Sequence, residues 1–208
     1  MSGSGGTTAM LFLTYRRLPS FEPGGYEAWV ASEDNPFFNT IGGILEYQNW
    51  AVETVSAGNP GFDYFDLLYL DGPDALERMW FDPDLTRFRR GWVARWGYGP
   101  APAEVNRFGW LLTAAQPHRP VAPTTLGVAI GSPGGGAEGE AWAVSERLPK
   151  HYARPEGGPP PDPWREGAGA APALGGATVT LVPGGDPPAA AAIAFTARCF
   201  AAPVGDGR

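Results

Sequence analysis

The stretch Met10–Tyr15, MLFLTY, is apolar at odd and even positions alike. A strand with one wet face alternates, whereas one covered on both faces reads as a continuous apolar run. This segment is therefore a central strand whose sheet is covered on each side. Downstream, Tyr26, Trp29, Val30, Glu33 and Phe37 recur at helical spacing until Asn35-Pro36 interrupts them. Gly42-Gly43 follows, and Ile44–Glu53 (ILEYQNWAVE) has the β-branched and aromatic content of a second strand. The turn-forming SAGNPG at 56–61 leads into a third strand, Phe62–Leu70, which makes the two a hairpin.

A helix is expected from Asp71-Gly72-Pro73 to about Trp80. A second piece begins at Asp82-Pro83, with Asp82 as N-cap and Pro83 as first helical residue. In that piece Leu85, Phe88, Trp92 and Trp96 line one face, and Gly97 is the expected C-cap. Arg107–Thr113 completes the order β-α-β-β-α-β. The expected fold class is α+β, a ferredoxin-like module over residues 9–116 with both helices on one face of a four-stranded sheet. The other sheet face needs a cover, because an exposed apolar face of that size does not suit a soluble monomer. A second sheet packed face to face would supply it.

Residues 1–8 are Ser/Gly/Thr-rich and are read as a disordered leader. Residues 117–208 hold 15 Pro and 16 Gly in 92 positions, a composition of linkers that nonetheless contains strand-like islands. EAWVASEDNP at 27–36 and EAWAVSERLP at 140–149 share six of ten residues at an offset of 113. The same offset lays the first strand over Thr124–Pro133, and Trp164–Pro172, Ala177–Val182 and Ala191–Phe200 are further candidate strands. Residues 117–208 thus read as a degenerate second copy that completes a barrel, its second helix lost, or else as an irregular β-rich extension. If the tandem barrel is complete, a homodimer is possible but not required.

The net charge of −7 and pI near 4.8 leave no basic stripe, so neither nucleic acid nor a membrane surface is an expected partner. Cys199 is the only cysteine, which excludes an intrachain disulfide and suits a reducing compartment. No run approaches the ~20 apolar residues of a membrane span. A cytoplasmic protein is expected. Gly134-Gly135-Gly136 belongs to no nucleotide-binding pattern, so no nucleotide or flavin cofactor is expected, and the question of a metal ion stays open.

Polar residues within apolar strands are the best candidates for chemistry, because burying an unpaired polar group costs a few kcal/mol and a bare charge far more. Glu46, Gln48 and Asn49 on the second strand and Asp63 and Asp66 on the third qualify. By alternation Glu46, Gln48 and Trp50 share one face, and Tyr47 and Asn49 share the other. Which face lines a pocket is not fixed by the pattern. Glu46 and Asp66 are candidate proton-transfer groups, with Tyr47 orienting or polarising a substrate. Asn35, Asn39, Asn49, Trp50 and Phe38 are candidate binding residues, although Asx residues at a helix break commonly cap and most aromatics are core. His118 and His151 lack a metal-ligand spacing.

The stretch Asp34–Asn39 (DNPFFN), followed by Gly42-Gly43-Ile44, Glu46-Tyr47 and Asn49-Trp50, resembles the RedY-like group of dimeric α+β-barrel proteins from prodigiosin and bis-indole biosynthesis. It is also similar to the wider superfamily of EthD-like proteins, small cofactor-free monooxygenases and aromatic polyketide cyclases. The resemblance covers residues 9–116. It implies a bacterial antibiotic or indole-alkaloid tailoring protein whose substrate is an aromatic, pyrrole- or indole-derived small molecule. Related barrels place a histidine between a helix end and a Pro-Gly turn, the setting of His151, which is therefore a candidate catalytic residue. Three functions compete: an acid/base enzyme for cyclisation, dehydration or hydrolysis; a non-catalytic protector of a reactive intermediate; and a cofactor-free monooxygenase.

Overall fold

A computed structural model describes residues 8–16, 25–96, 108–114, 124–131, 139–147, 174, 177–188 and 191–203. Among the described residues there are eight strands: β1 (Thr8–Tyr15), β2 (Ile44–Ala57), β3 (Tyr64–Leu70), β4 (Phe108–Ala114), β5 (Thr125–Gly131), β6 (Glu140–Arg147), β7 (Thr178–Pro183) and β8 (Ile193–Ala201). They join in one closed ring, β1-β3-β2-β8-β5-β7-β6-β4, and every pairing is antiparallel. The expected fold class, a ferredoxin-like α+β module with a second sheet stacked on its face, is corrected by this ring to a closed eight-stranded antiparallel β-barrel.

The physical reason lies at the strand edges. β2 runs for 14 residues and pairs with β8 as well as β3, and β4 pairs with β6 as well as β1. The edges of the first four strands are thus consumed by hydrogen bonds to later strands. The sheet covers its own inner face by curling closed, which also removes every edge from the ring. No second copy of the chain is needed for closure. The double-sided apolarity of β1 follows: Met10 and Phe12 point into the barrel core, while Ala9, Leu11 and Leu13 lie beneath a helical layer.

That layer consists of α1 (Gly25–Trp29), a π-helical turn (Val30–Asp34), α2 (Asn35–Phe38), α3 (Ala75–Trp80) and α4 (Pro83–Trp96). Asn35-Pro36 does not end the first helix as the sequence suggests. Proline lacks an N–H and its ring crowds the carbonyl four residues back. The chain answers with a widened turn in which the Asn35 N–H bonds the Val30 carbonyl. Asp34 makes no side-chain cap there. Asp82 does cap α4, its Oδ1 accepting from the N–H groups of Asp84 (2.8 Å) and Leu85 (3.0 Å).

Strands of the earlier and later halves follow the same internal order around the ring, β4-β1-β3-β2 and β8-β5-β7-β6. The 113-residue overlay nevertheless fails at its most similar segment. Glu140–Arg147, aligned with the helical Glu27–Asp34, is strand β6. The candidate strand at 164–172 lies outside the described residues. Among the described residues no helix is long and apolar enough to cross a membrane.

Glycine is required where the segment after β7 crosses the outside of β5. A Cβ on Gly127 would stand 2.6 Å from the Gly185 carbonyl oxygen and 2.7 Å from backbone atoms of Asp186 and Pro187. This crossing backbone cannot step aside as a flexible side chain can. Gly127→Ala is therefore expected to cost about 1–3 kcal/mol, measured as a lower urea midpoint with an unchanged slope.

Candidate functional site

The sheet divides the residues singled out in the sequence into two groups. Register fixes the division, because partners across an antiparallel ladder share a face. Tyr47 pairs with Leu68 and Asn49 with Asp66, and Asp66 also pairs with Leu13; these side chains point outward, under the helices. Glu46 pairs with Tyr69, Gln48 with Leu67 and Trp50 with Phe65, and these point into the barrel.

The outward group forms one buried network. Asp66 Oδ1 accepts from the Tyr15 hydroxyl (3.1 Å) and from Asn49 Nδ2 (2.8 Å). Asn49 Oδ1 accepts from Asn35 Nδ2 (2.8 Å), which also donates to the Tyr47 carbonyl (2.8 Å). Asn39 accepts from the Tyr47 N–H (2.9 Å) and donates to Asn35, while the Tyr47 hydroxyl donates to Asp34 Oδ2 (2.9 Å). Phe38 covers the Tyr47 ring at 4.6 Å between centroids. The π turn makes this possible by placing Asp34 and Asn35, consecutive residues, both against the sheet. Asp34, Asn35, Tyr47, Asn49 and Asp66 are all buried. The arrangement bolts the first helical segment to β2 and β3.

The inward group gathers at one mouth. Strand direction alternates around the ring, so the starts of β1, β2, β5 and β6 and the ends of β3, β4, β7 and β8 lie at the same end. Glu46 lies near the start of β2, Tyr69 near the end of β3, Glu140 at the start of β6 and Cys199 near the end of β8. Glu140 pairs with Leu181 and Cys199 with Trp50, both core residues, so both face inward. Glu46 Oε1 accepts from Gln48 Nε2 at 2.6 Å, and Gln48 Oε1 accepts from Trp50 Nε1 at 3.2 Å. Trp142 Nε1 lies 3.4 Å from Glu140 Oε2, and its ring meets Tyr69 edge-on at 5.8 Å. Two carboxylates, a phenol and two indoles thus share one end of an apolar barrel.

Electrostatics follow from burial. The Tyr69 hydroxyl is held well above the ordinary tyrosine range, first by burial and then by the charges of Glu140 and Glu46. Tyr47 is likewise raised by burial, with Asp34 and Asp66 adding to it. Burial pushes the Cys199 thiol up to about 11, so it is a poor nucleophile at neutral pH. The tyrosines predict an alkaline limit on stability. In the unfolded chain they lose protons near pH ~10, whereas the folded protein retains them. Their contribution is complete below that pH and is lost as pH rises above it. Urea midpoints should fall steeply above about pH 10, and Tyr47→Phe should flatten the decline.

Of the expected catalytic residues, Glu46 lies at the mouth, Tyr47 and Asp66 belong to the network beneath the helices, and His151 lies outside the described residues. Among the expected binding residues only Trp50 faces inward; Asn35, Asn39, Asn49 and Phe38 serve the outer network. Tyr69 and Glu140 are additions. Read as a strand, Glu140, Trp142 and Val144 alternate onto one face, the signal that would have found Glu140. Among the described residues, no group of three or more His, Cys, Asp or Glu side chains is placed to hold a metal ion.

The chain matches no protein-family model, no curated protein and no solved structure. The resemblance to RedY-like proteins finds no support there and rests on the motif residues alone.

Proposed function

We propose that the chain takes a small aromatic molecule at this barrel mouth and transfers a proton to or from it through Glu46, as a tailoring enzyme for cyclisation, dehydration or hydrolysis. The observation that carries this reading is the convergence of Glu46, Tyr69 and Glu140 on one end of an aromatic-rich barrel core. A carboxylate is a competent base for an N–H or an activated C–H, and a tyrosine kept protonated is a hydrogen-bond donor to developing negative charge. The two carboxylates supply acceptors, which suits a ligand carrying N–H groups, as indoles and pyrroles do. The sequence resemblance points to the same class.

A second reading, a binding protein that shields a reactive intermediate, is favoured by the fate of Asp66 and Tyr47. Both are committed to the network beneath the helices, which leaves fewer groups for chemistry. Incubation with a panel of indole and pyrrole compounds, followed by mass spectrometry with and without chelator, separates the readings. A new product that disappears with Glu46→Gln supports the enzyme; binding with every ligand returned unchanged supports the protector. Failure to bind any N–H aromatic would overturn both.

A further inference from the structure

We infer that Gln48 is a positioning residue that aims and holds the Glu46 carboxylate, with Trp50 fixing Gln48 in turn. The inference rests on the reading of Glu46 as the base. Three residues at alternate positions on one strand, Trp50, Gln48 and Glu46, form a relay whose direction is dictated by chemistry. An indole N–H can only donate, so the Gln48 atom 3.2 Å from Trp50 Nε1 is the amide oxygen. The amide nitrogen must then lie on the opposite side, where it donates to Glu46 Oε1 at 2.6 Å. Flipping the amide would set donor against donor at Trp50, so only one orientation is permitted.

All three side chains are buried, and Trp50 is clamped further by stacking on Phe65. The relay lies along a single strand, so its geometry is set by the pleat and not by a loop. Among the described residues, the titratable groups facing Glu46 from other strands include Tyr69 on β3, Glu140 on β6 and Cys199 on β8. Gln48 is thus a neutral donor held against a carboxylate that has a tyrosine, a second carboxylate and a thiol around it.

The test is made on the full, ligand-free chain. Three-bond N–Cγ and C′–Cγ couplings of Glu46 report its χ1 population. In the wild type one rotamer should exceed about 90%. Gln48→Met, which keeps the volume and removes the amide, should reduce that rotamer to below about 60%, and Trp50→Phe should give an intermediate value. If Gln48→Met does not fold, the Trp50→Phe couplings alone carry the decision. Unchanged couplings in the folded variants would overturn the inference. The measurement needs no turnover, so an inactive protein with an intact relay would remove only the catalytic role of Glu46. An active protein with unchanged couplings would remove only the relay.

Discussion

Glu46→Gln should slow the chemical step by roughly 100- to 10,000-fold, the range that a positioned acid or base contributes, and should leave the fold and ligand affinity nearly unchanged. The substitution is isosteric. A glutamine at 46 can still accept from Gln48 Nε2 through its amide oxygen, so the bond at 2.6 Å survives as a neutral one. What is lost is the capacity to take a proton. Single-turnover rates with any panel compound that is converted, alongside binding followed by tryptophan fluorescence, separate the two effects. Glu140→Gln, which changes the charge beside Tyr69 and leaves Glu46 in place, should lower the rate far less. Equal losses in both variants would mean that the mouth acts through net charge and not through one base.

The largest structural effect is expected outside the barrel, at Asn49. Its amide is the joint of the outer network, accepting from Asn35 and donating to Asp66. Asn49→Ala withdraws a donor from a buried carboxylate and an acceptor from a buried amide, and it opens a small void. Asp66 keeps the Tyr15 hydroxyl and Asn35 keeps the Tyr47 carbonyl, so each loses one of its hydrogen bonds; with about 1.5–3 kcal/mol for the bond to the carboxylate, about 0.5–1.5 for the amide pair and the void added, a total of about 2–5 kcal/mol is expected. Tyr15→Phe removes one donor from Asp66 but leaves Asn49 in place, and should cost only about 1 kcal/mol. Urea unfolding followed by fluorescence checks both; a loss under ~1 kcal/mol for Asn49→Ala would mean that the helical segment relaxes without strain. Because Asn35 and Asn49 share a bond, Asn35→Ala combined with Asn49→Ala should cost less than the two singly.

How far the sequence led can be argued from three segments. The unbroken apolarity of Met10–Tyr15 correctly required cover on both faces, yet it carries no information on whether a stacked sheet or a closing ring provides it. That choice is made by the pairing of β2 with β8 and β4 with β6, contacts between residues distant in the chain. Alternation along Ile44–Glu53 sorted the side chains into the two correct sets, but the sign of the face depends on where the helices lie. Glu140–Arg147 was read through its likeness to a helix, and tertiary pairing overrode that likeness: its neighbours β4 and β7 supply the ladder, and Trp142 falls into the core. Asp34 and Asn35 looked like caps because local hydrogen bonding is the usual use of such residues at a break. The π turn redirects them to partners 12 to 14 residues away.

Ring closure also bears on how the chain reaches its native state. β8, the last strand described, hydrogen-bonds with β2 and β5, and β6 must meet β4. Until β8 is made, the apolar inner faces of β1 to β4 have no ring to enclose them, and β2 presents an open edge. Long-range pairing of this kind slows folding and lengthens exposure of sticky surface. The helical layer and its polar network can form earlier, since both draw on residues before position 97. Before β8 pairs, the chain is therefore a half-dressed sheet, covered on its outer side and dependent on β8, or on a chaperone in the interval, for the other.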